Sequence, residues 1–143
     1  MTCNRTEYFQ FPYIRREDLI DIPEWAEDIV MYHIFPDSFA SEKSGISKSG
    51  KCVTLPEKMN SVSHLGGTLN GVCENLDYLK NLGANCIYLN PIFAANSYHK
   101  YDTIDYMSID PQFGTKEDFA ELVKKAHEKK IRIVLDAVFN HCS

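Results

Sequence analysis

The chain has 143 residues, 44% apolar and 24% charged, with 15 Lys and Arg against 20 Asp and Glu for a net charge of −5. That length suits one domain with a real core and falls short of a complete (β/α)8 barrel, which takes about 250 residues and rarely fewer than about 200. A mildly acidic chain without a basic stripe argues against nucleic acid as a partner, and no apolar run approaches the length of a membrane span.

Residues 1–27 are mixed and polar, with Tyr8, Phe9, Phe11 and Tyr13 interleaved and Pro12 and Pro23 as punctuation. They read as a tail or linker and hold no apolar segment of signal-peptide type. The run 29–35, stopped by Pro36, reads as a buried strand. From 37 to 67 the chain is rich in Ser, Lys and Gly without periodicity, a long loop of the kind that is functional or disordered. Thr68 or Asn70 is the expected cap of a helix. Leu69, Val72, Leu76, Leu79 and Leu82 share one face of it, Tyr78 is expected to face the core, and Gly83 ends it.

A second buried strand follows at 86–89. Residues 90–114 read as another long loop, carrying Tyr98, Tyr101, Tyr106, Asp102, Asp105 and Asp110. Thr115 and Asp118 have the spacing of a capping box, and Phe119, Leu122, Val123 and Ala126 give the next helix its inner stripe. Glu121 and Lys125 sit one turn apart on the outer side. Lys124, Lys125, Lys129 and Lys130, the single basic cluster, fall late in this helix, where cations suit the dipole. A third strand at 131–135 runs into 136–141. The five cysteines (Cys3, Cys52, Cys73, Cys86, Cys142) are scattered with no CxxC pair, which argues against a disulfide framework or zinc ribbon. They read as reduced thiols of a cytoplasmic protein.

The order β-α-β-α-β implies a parallel sheet. Helix-to-strand connections are two or three residues and strand-to-helix connections are tens, so the elaboration gathers at the C-terminal ends of the strands, where parallel α/β folds place their sites. Those ends offer Tyr32, His33, Phe35 and Asp37; then Asn90, Tyr98, His99, Tyr101 and Asp102; then Asp136, Asn140 and His141. Aromatic faces beside carboxylate, amide and imidazole groups suit a sugar, whose ring faces are apolar and whose hydroxyls need hydrogen bonds. The stretch 66–71 matches neither phosphate-loop pattern, and no serine sits in a GxSxG elbow. His33 reads as a satisfied rim or core histidine and His127 as solvated. Asp136 follows three apolar strand residues, where a carboxylate is costly unless partnered, and so reads as functional. From spacing alone, Asn140 and His141 are equally a site or a strand-end cap.

Asp136-Ala137-Val138-Phe139-Asn140-His141 resembles the DxxxNH signature of the alpha-amylase family, glycoside hydrolase family 13, on the third strand of its barrel. Five further stretches agree in order: 32–39 (YHIFPDSF), 66–71 (GGTLNG), 87–93 (IYLNPIF), 99–103 (HKYDT) and 109–115 (IDPQFGT). The forms YHIFPDSF and HKYDT are most similar to the neopullulanase, cyclomaltodextrinase and maltogenic amylase group. The resemblance implies an incomplete TIM (β/α)8 barrel, about the first three parallel strands and two helices, over residues 28–143. In that reading residues 1–27 are the tail of a preceding domain.

It also implies a retaining hydrolase of α-1,4-glucosidic bonds in starch-derived or cyclic oligosaccharides. In the family the three catalytic carboxylates follow strands four, five and seven, so none has a counterpart here and the chain alone is expected to be inactive. What carries over is part of the pocket. Tyr101 matches the tyrosine that stacks on the sugar, His141 the histidine that bonds one of its hydroxyls, and Asp136 the buried aspartate that braces the floor. Asn140 matches a calcium ligand of many alpha-amylases. Thr68 stands where the resembled group has the aspartate of its own calcium loop, so calcium is an expectation only for a full-length parent. The expected partner is an alpha-glucan oligosaccharide, with a non-catalytic glucan-binding module as the alternative to an enzyme fragment. An independent open-sheet protein is the third reading. Three parallel strands with two helices leave two open edges, so low stability and self-association are expected of the isolated chain.

Overall fold

The computed structural model describes residues 21–41 and 64–141. The aromatic tail around Tyr8–Tyr13, most of the loop expected at 37–67, and Cys3, Cys52 and Cys142 lie outside the described residues.

Strands β1 (Met31–Ile34), β2 (Cys86–Leu89) and β5 (Arg132–Leu135) form a parallel sheet in the order β1-β2-β5. The register pairs Tyr32 with Ile87 and Ile87 with Ile133. This is the expected partial barrel arrangement. The middle strand is apolar on both faces, with Cys86, Ile87 and Leu89 buried. The first strand departs from the expectation of full burial: only Ile34 is buried, and Met31 and His33 are exposed. An edge strand has a partner on one side only, so its residues lose less water than those of the strand between two neighbours.

The helix after the long loop begins as expected, with the Thr68 hydroxyl accepting the Gly71 N–H at 3.0 Å. It is broken at Asn75 (φ −103°, ψ 14°) into α2 (Leu69–Glu74) and α3 (Leu76–Asn81), after a four-residue helix α1 at Pro36–Phe39. The Asn75 amide donates to the Gly71 carbonyl at 2.8 Å, a side-chain substitute for the ladder. Gly71 is required by contact: a Cβ there would stand 2.0 Å from the Ala40 carbonyl oxygen. Leu69, Val72, Leu76 and Leu79 are fully buried as their spacing predicts. Tyr78 and Leu82 are corrections, at 40% and 54% exposed. The break restarts the helical phase, and Leu82 lies at the cap, past the end of the inner stripe.

Residues 90–114 are not a loop throughout. They fold into an antiparallel pair, β3 (Phe93–Ala95) with β4 (Thr103–Ile109), whose register shifts twice. Helix α4 (Lys116–Glu128) opens with the expected Thr115–Asp118 capping box, and Asp118 also accepts from Asn70 Nδ2 at 3.0 Å, tying α4 to α2. Lys125 meets Glu121 at 3.2 Å on the outer face. One core joins these elements: Leu69, Val72, Leu76 and Leu79 meet Ile87, Leu89, Ile92, Phe113, Leu122, Ala126 and Ile131. Cys73, inside it, and Cys86, on β2, are buried free thiols, and burial pushes both above the ordinary thiol range. Among the described residues no helix is long and apolar enough to cross a membrane.

Candidate functional site

The C-terminal ends of the three parallel strands meet the β3–β4 unit, and two polar clusters form there. The first is built on Asp37, at the start of α1 and only 1% exposed. Its Oδ2 accepts the Leu65 N–H at 2.9 Å and the Tyr98 hydroxyl at 2.9 Å. Its Oδ1 accepts the Gly66 N–H at 3.0 Å and Gln112 Nε2 at 2.8 Å. With four donors from three other segments, the carboxylate is a structural hub. Burial, with the bond to Asp37 adding to it, pushes the Tyr98 phenol up to about 12, so Tyr98 stays protonated and donating. Sequence reasoning placed Asp37 and Tyr98 on the rim as site candidates; the structure turns both inward on each other.

The second cluster is built on Tyr101, between β3 and β4. Its hydroxyl donates to Asp136 Oδ2 at 2.9 Å and accepts from Asn90 Nδ2 at 3.0 Å. Its main-chain carbonyl lies 3.2 Å from His141 Nε2, and its N–H reaches His99 Nδ1 at 3.1 Å. The His99 ring leans on the Tyr101 ring with centroids 5.7 Å apart. Tyr101 is thus brought together with Asp136 and His141, which lie 35 and 40 residues further along the chain. Tyr101 is 37% exposed, so its hydroxyl is tied down while ring surface stays open. Asp136 is half-buried rather than fully buried, because β5 is an edge strand of the described sheet.

Electrostatics assign the roles. Burial raises the Tyr101 phenol above its ordinary value, and the adjoining Asp136 carboxylate raises it further. Burial raises Tyr88 as well, with the same carboxylate adding to it. Both phenols are therefore neutral at pH 7, and the Tyr101 hydroxyl donates to Asp136. A carboxylate oxygen that accepts a phenol proton has that lone pair committed. The loop after β5 that carries Asp136 and His141 is pinned by Tyr106, whose hydroxyl donates to the Val138 carbonyl and accepts the Val138 N–H at 3.0 Å.

Sequence reasoning missed Tyr88 and Tyr106 in these roles. Tyr88 lies within an apolar strand run that reads as pure core, and Tyr106 becomes legible only once 103–109 is recognised as a strand. The Asn140 side chain is exposed, and among the described residues no three His, Cys, Asp or Glu side chains converge to hold a metal.

Comparison with known proteins places this geometry. Residues 33–143 match the model of the alpha-amylase catalytic domain. The chain is 52% identical over 135 residues to a cyclomaltodextrinase of Geobacillus thermopakistaniensis, covering 94% of this chain and 23% of that protein. It is 48% identical over 134 residues to a maltogenic alpha-amylase of Bacillus acidopullulyticus, again 94% of this chain and 23% of the relative. Among solved structures it is similar to the cyclic alpha-maltosyl-(1→6)-maltose hydrolase of Arthrobacter globiformis in complex with maltose. That match has a TM-score of 0.68 at 41% identity, over 84% of this chain and 27% of the other. The chain spans about a quarter of the length of these proteins.

Proposed function

The chain belongs to the alpha-amylase family, with cyclomaltodextrinase and maltogenic amylase among its relatives, and on that premise we propose that it forms one wall of an alpha-glucan pocket. The whole protein would hydrolyse α-1,4-glucosidic bonds of starch-derived or cyclic oligosaccharides by a retaining route. Residues 28–143 are the N-terminal part of the barrel in this reading, and residues 1–27 the tail of a preceding domain. A cytoplasmic location belongs to the same reading.

The observation that carries the proposal is the Tyr101 cluster: one phenol held by Asp136 and Asn90, with His141 against its carbonyl. A sugar seated there packs an apolar C–H face on the ring of Tyr101, while His141 and Asp136 stand at its hydroxyls. Retaining hydrolysis needs a nucleophilic carboxylate and a general acid/base on either side of the bond. Asp136 is engaged by the Tyr101 phenol and Asp37 by four donors, so neither supplies one in this reading. In this reading the 143 residues alone bind glucan without cleaving it.

The test is titration of the chain with a maltooligosaccharide, with maltose release assayed in parallel. Tyr101→Ala is expected to weaken binding by about tenfold, or about 1.4 kcal/mol, with no maltose released by either form. Maltose release by the pure wild-type chain, or equal affinity of Tyr101→Ala, overturns the reading.

A further inference from the structure

The hydrogen bonds around Tyr101 run in one direction. An ionised carboxylate only accepts, so the 2.9 Å bond to Asp136 Oδ2 takes the phenol proton. The phenol oxygen is left to accept, and Asn90 Nδ2 donates to it at 3.0 Å. With its nitrogen so committed, Asn90 presents Oδ1 to His33, whose Nε2 is 2.5 Å away. A carbonyl oxygen cannot donate, so His33 must carry a proton on Nε2.

The relay starts on β1, passes the end of β2 and the segment between β3 and β4, and ends just past β5. It therefore ties all three parallel strands to one phenol. Asn90 is only 9% exposed. Its amide has both ends engaged by protein, so it acts through Tyr101 and does not meet a sugar itself. The Tyr88 ring packs edge-on against the His33 ring, centroids 5.0 Å apart at 86°, which holds the imidazole at the angle the relay needs.

We propose that Asn90 and His33 are positioning residues for Tyr101: His33 Nε2–H orients the Asn90 amide, and the amide fixes the phenol so that its proton points at Asp136 and its ring stays presented to the sugar. The inference rests on the reading of Tyr101 as the sugar platform, and its test separates the two.

The chain is labelled with 15N-histidine and 13Cζ-tyrosine, and Tyr101 is assigned by Tyr101→Phe. In the wild type, His33 is expected as the Nε2–H tautomer. Asn90→Leu removes a donor that favours the phenolate, so the Tyr101 titration moves up; Asp136→Asn removes the neighbouring charge, so it moves down. Opposite shifts are what a directional relay produces and a merely structural amide does not. Asn90→Ala removes the same donor in a smaller side chain and adds no charge beside the phenol. It gives the same upward shift, so the proposal stays decidable if the leucine variant does not fold. His33→Gln keeps a donor and leaves the Tyr101 signal in place, whereas His33→Phe displaces it.

Maltooligosaccharide affinity falls roughly fivefold in Asn90→Ala. A bare Nε2 on His33, or a Tyr101 titration unmoved by Asn90→Ala, overturns the relay. Glucan binding with an unmoved Tyr101 signal defeats the relay and keeps the pocket. Opposite shifts with no glucan binding by the wild type defeat the pocket and keep the relay.

Discussion

Replacing Asp37 by alanine is expected to destabilise the chain by about 3 kcal/mol, because each buried donor left without its acceptor costs about 1–3 kcal/mol. Four donors lose their partner together: the N–H groups of Leu65 and Gly66, the Tyr98 hydroxyl and the Gln112 amide. Gly66 is exposed and recovers water, while the other three are half-buried and recover less. The loss reaches beyond the local bonds. Asp37 joins the end of β1 to the segment that returns at 64–67, to Tyr98 and to the turn at Gln112 that precedes α4.

Gly67 shows how tightly that join is made, since a Cβ there would lie 1.9 Å from the Pro36 carbonyl oxygen. Asp37→Asn keeps the shape and one acceptor oxygen, so it is expected to fall between wild type and alanine. Urea unfolding reads the effect as a shift of the midpoint at unchanged slope. A midpoint for Asp37→Ala equal to that of wild type contradicts the assignment of Asp37 as a hub.

The second large effect is expected at Lys100. Its ammonium is 2.8 Å from Asp110 Oδ2, with both side chains nearly buried, and lies 5.8 Å from the Phe113 ring centroid. Lys100 also adopts a left-handed backbone (φ 64°), which a side chain disfavours by about 1 kcal/mol and which the ion pair offsets. Lys100→Met keeps the stem and removes the charge, leaving a buried carboxylate with two backbone donors, Gln112 N–H at 3.0 Å and Ala95 N–H at 3.4 Å. Breaking a buried pair this way costs about 3–5 kcal/mol.

The pH dependence distinguishes this from a packing defect. In the wild type, burial raises the Asp110 carboxyl, but Lys100 and the backbone donors outweigh it and hold the group below its ordinary value. A depressed folded value contributes stability above the unfolded value near 4, and that stability is lost as pH falls through the folded value. Without Lys100, burial prevails and the sign reverses: the carboxyl is raised, and protonation relieves the variant as pH falls toward 4. The stability gap between the two proteins is therefore expected to narrow on acidification. A gap constant from pH 7 to pH 4 contradicts the account.

Much of the fold was legible because its strongest signals are local. Thr68, Thr115 and Asp118 cap helices in the structure as their residue types and spacing require, and Leu69, Val72, Leu76 and Leu79 fill the core. What escaped depended on tertiary context. The helix break at Asn75 is made by its own side chain reaching back to Gly71, and it strands Tyr78 and Leu82 outside. The β3–β4 pair was hidden by three aspartates in a stretch that strands usually avoid. All three are satisfied nearby: Asp102 by Ser97, Asp105 by Met107 and Ser108, and Asp110 by Gln112 and Lys100. The burial expected of the 29–35 run failed because periodicity cannot say which strand lies between two others.

At the site, the grouping of Tyr101, Asp136 and His141 followed from the resemblance. The relay through Asn90 and His33 did not, because hydrogen bonds between β1, β2 and the segment before β4 leave no mark in residue spacing. His33 read as a satisfied rim histidine, which its bond to Asn90 makes it.

The measurement that bears most directly on the pocket is a chemical-shift map of the labelled chain titrated with a maltooligosaccharide. The account predicts saturable shifts at Tyr101, Asp136 and His141, with the opposite end of the sheet, where Arg132 lies over Trp25 at 4.6 Å, left undisturbed. Shifts centred on Trp25 and Arg132, or no saturable shift anywhere in the chain, would contradict it.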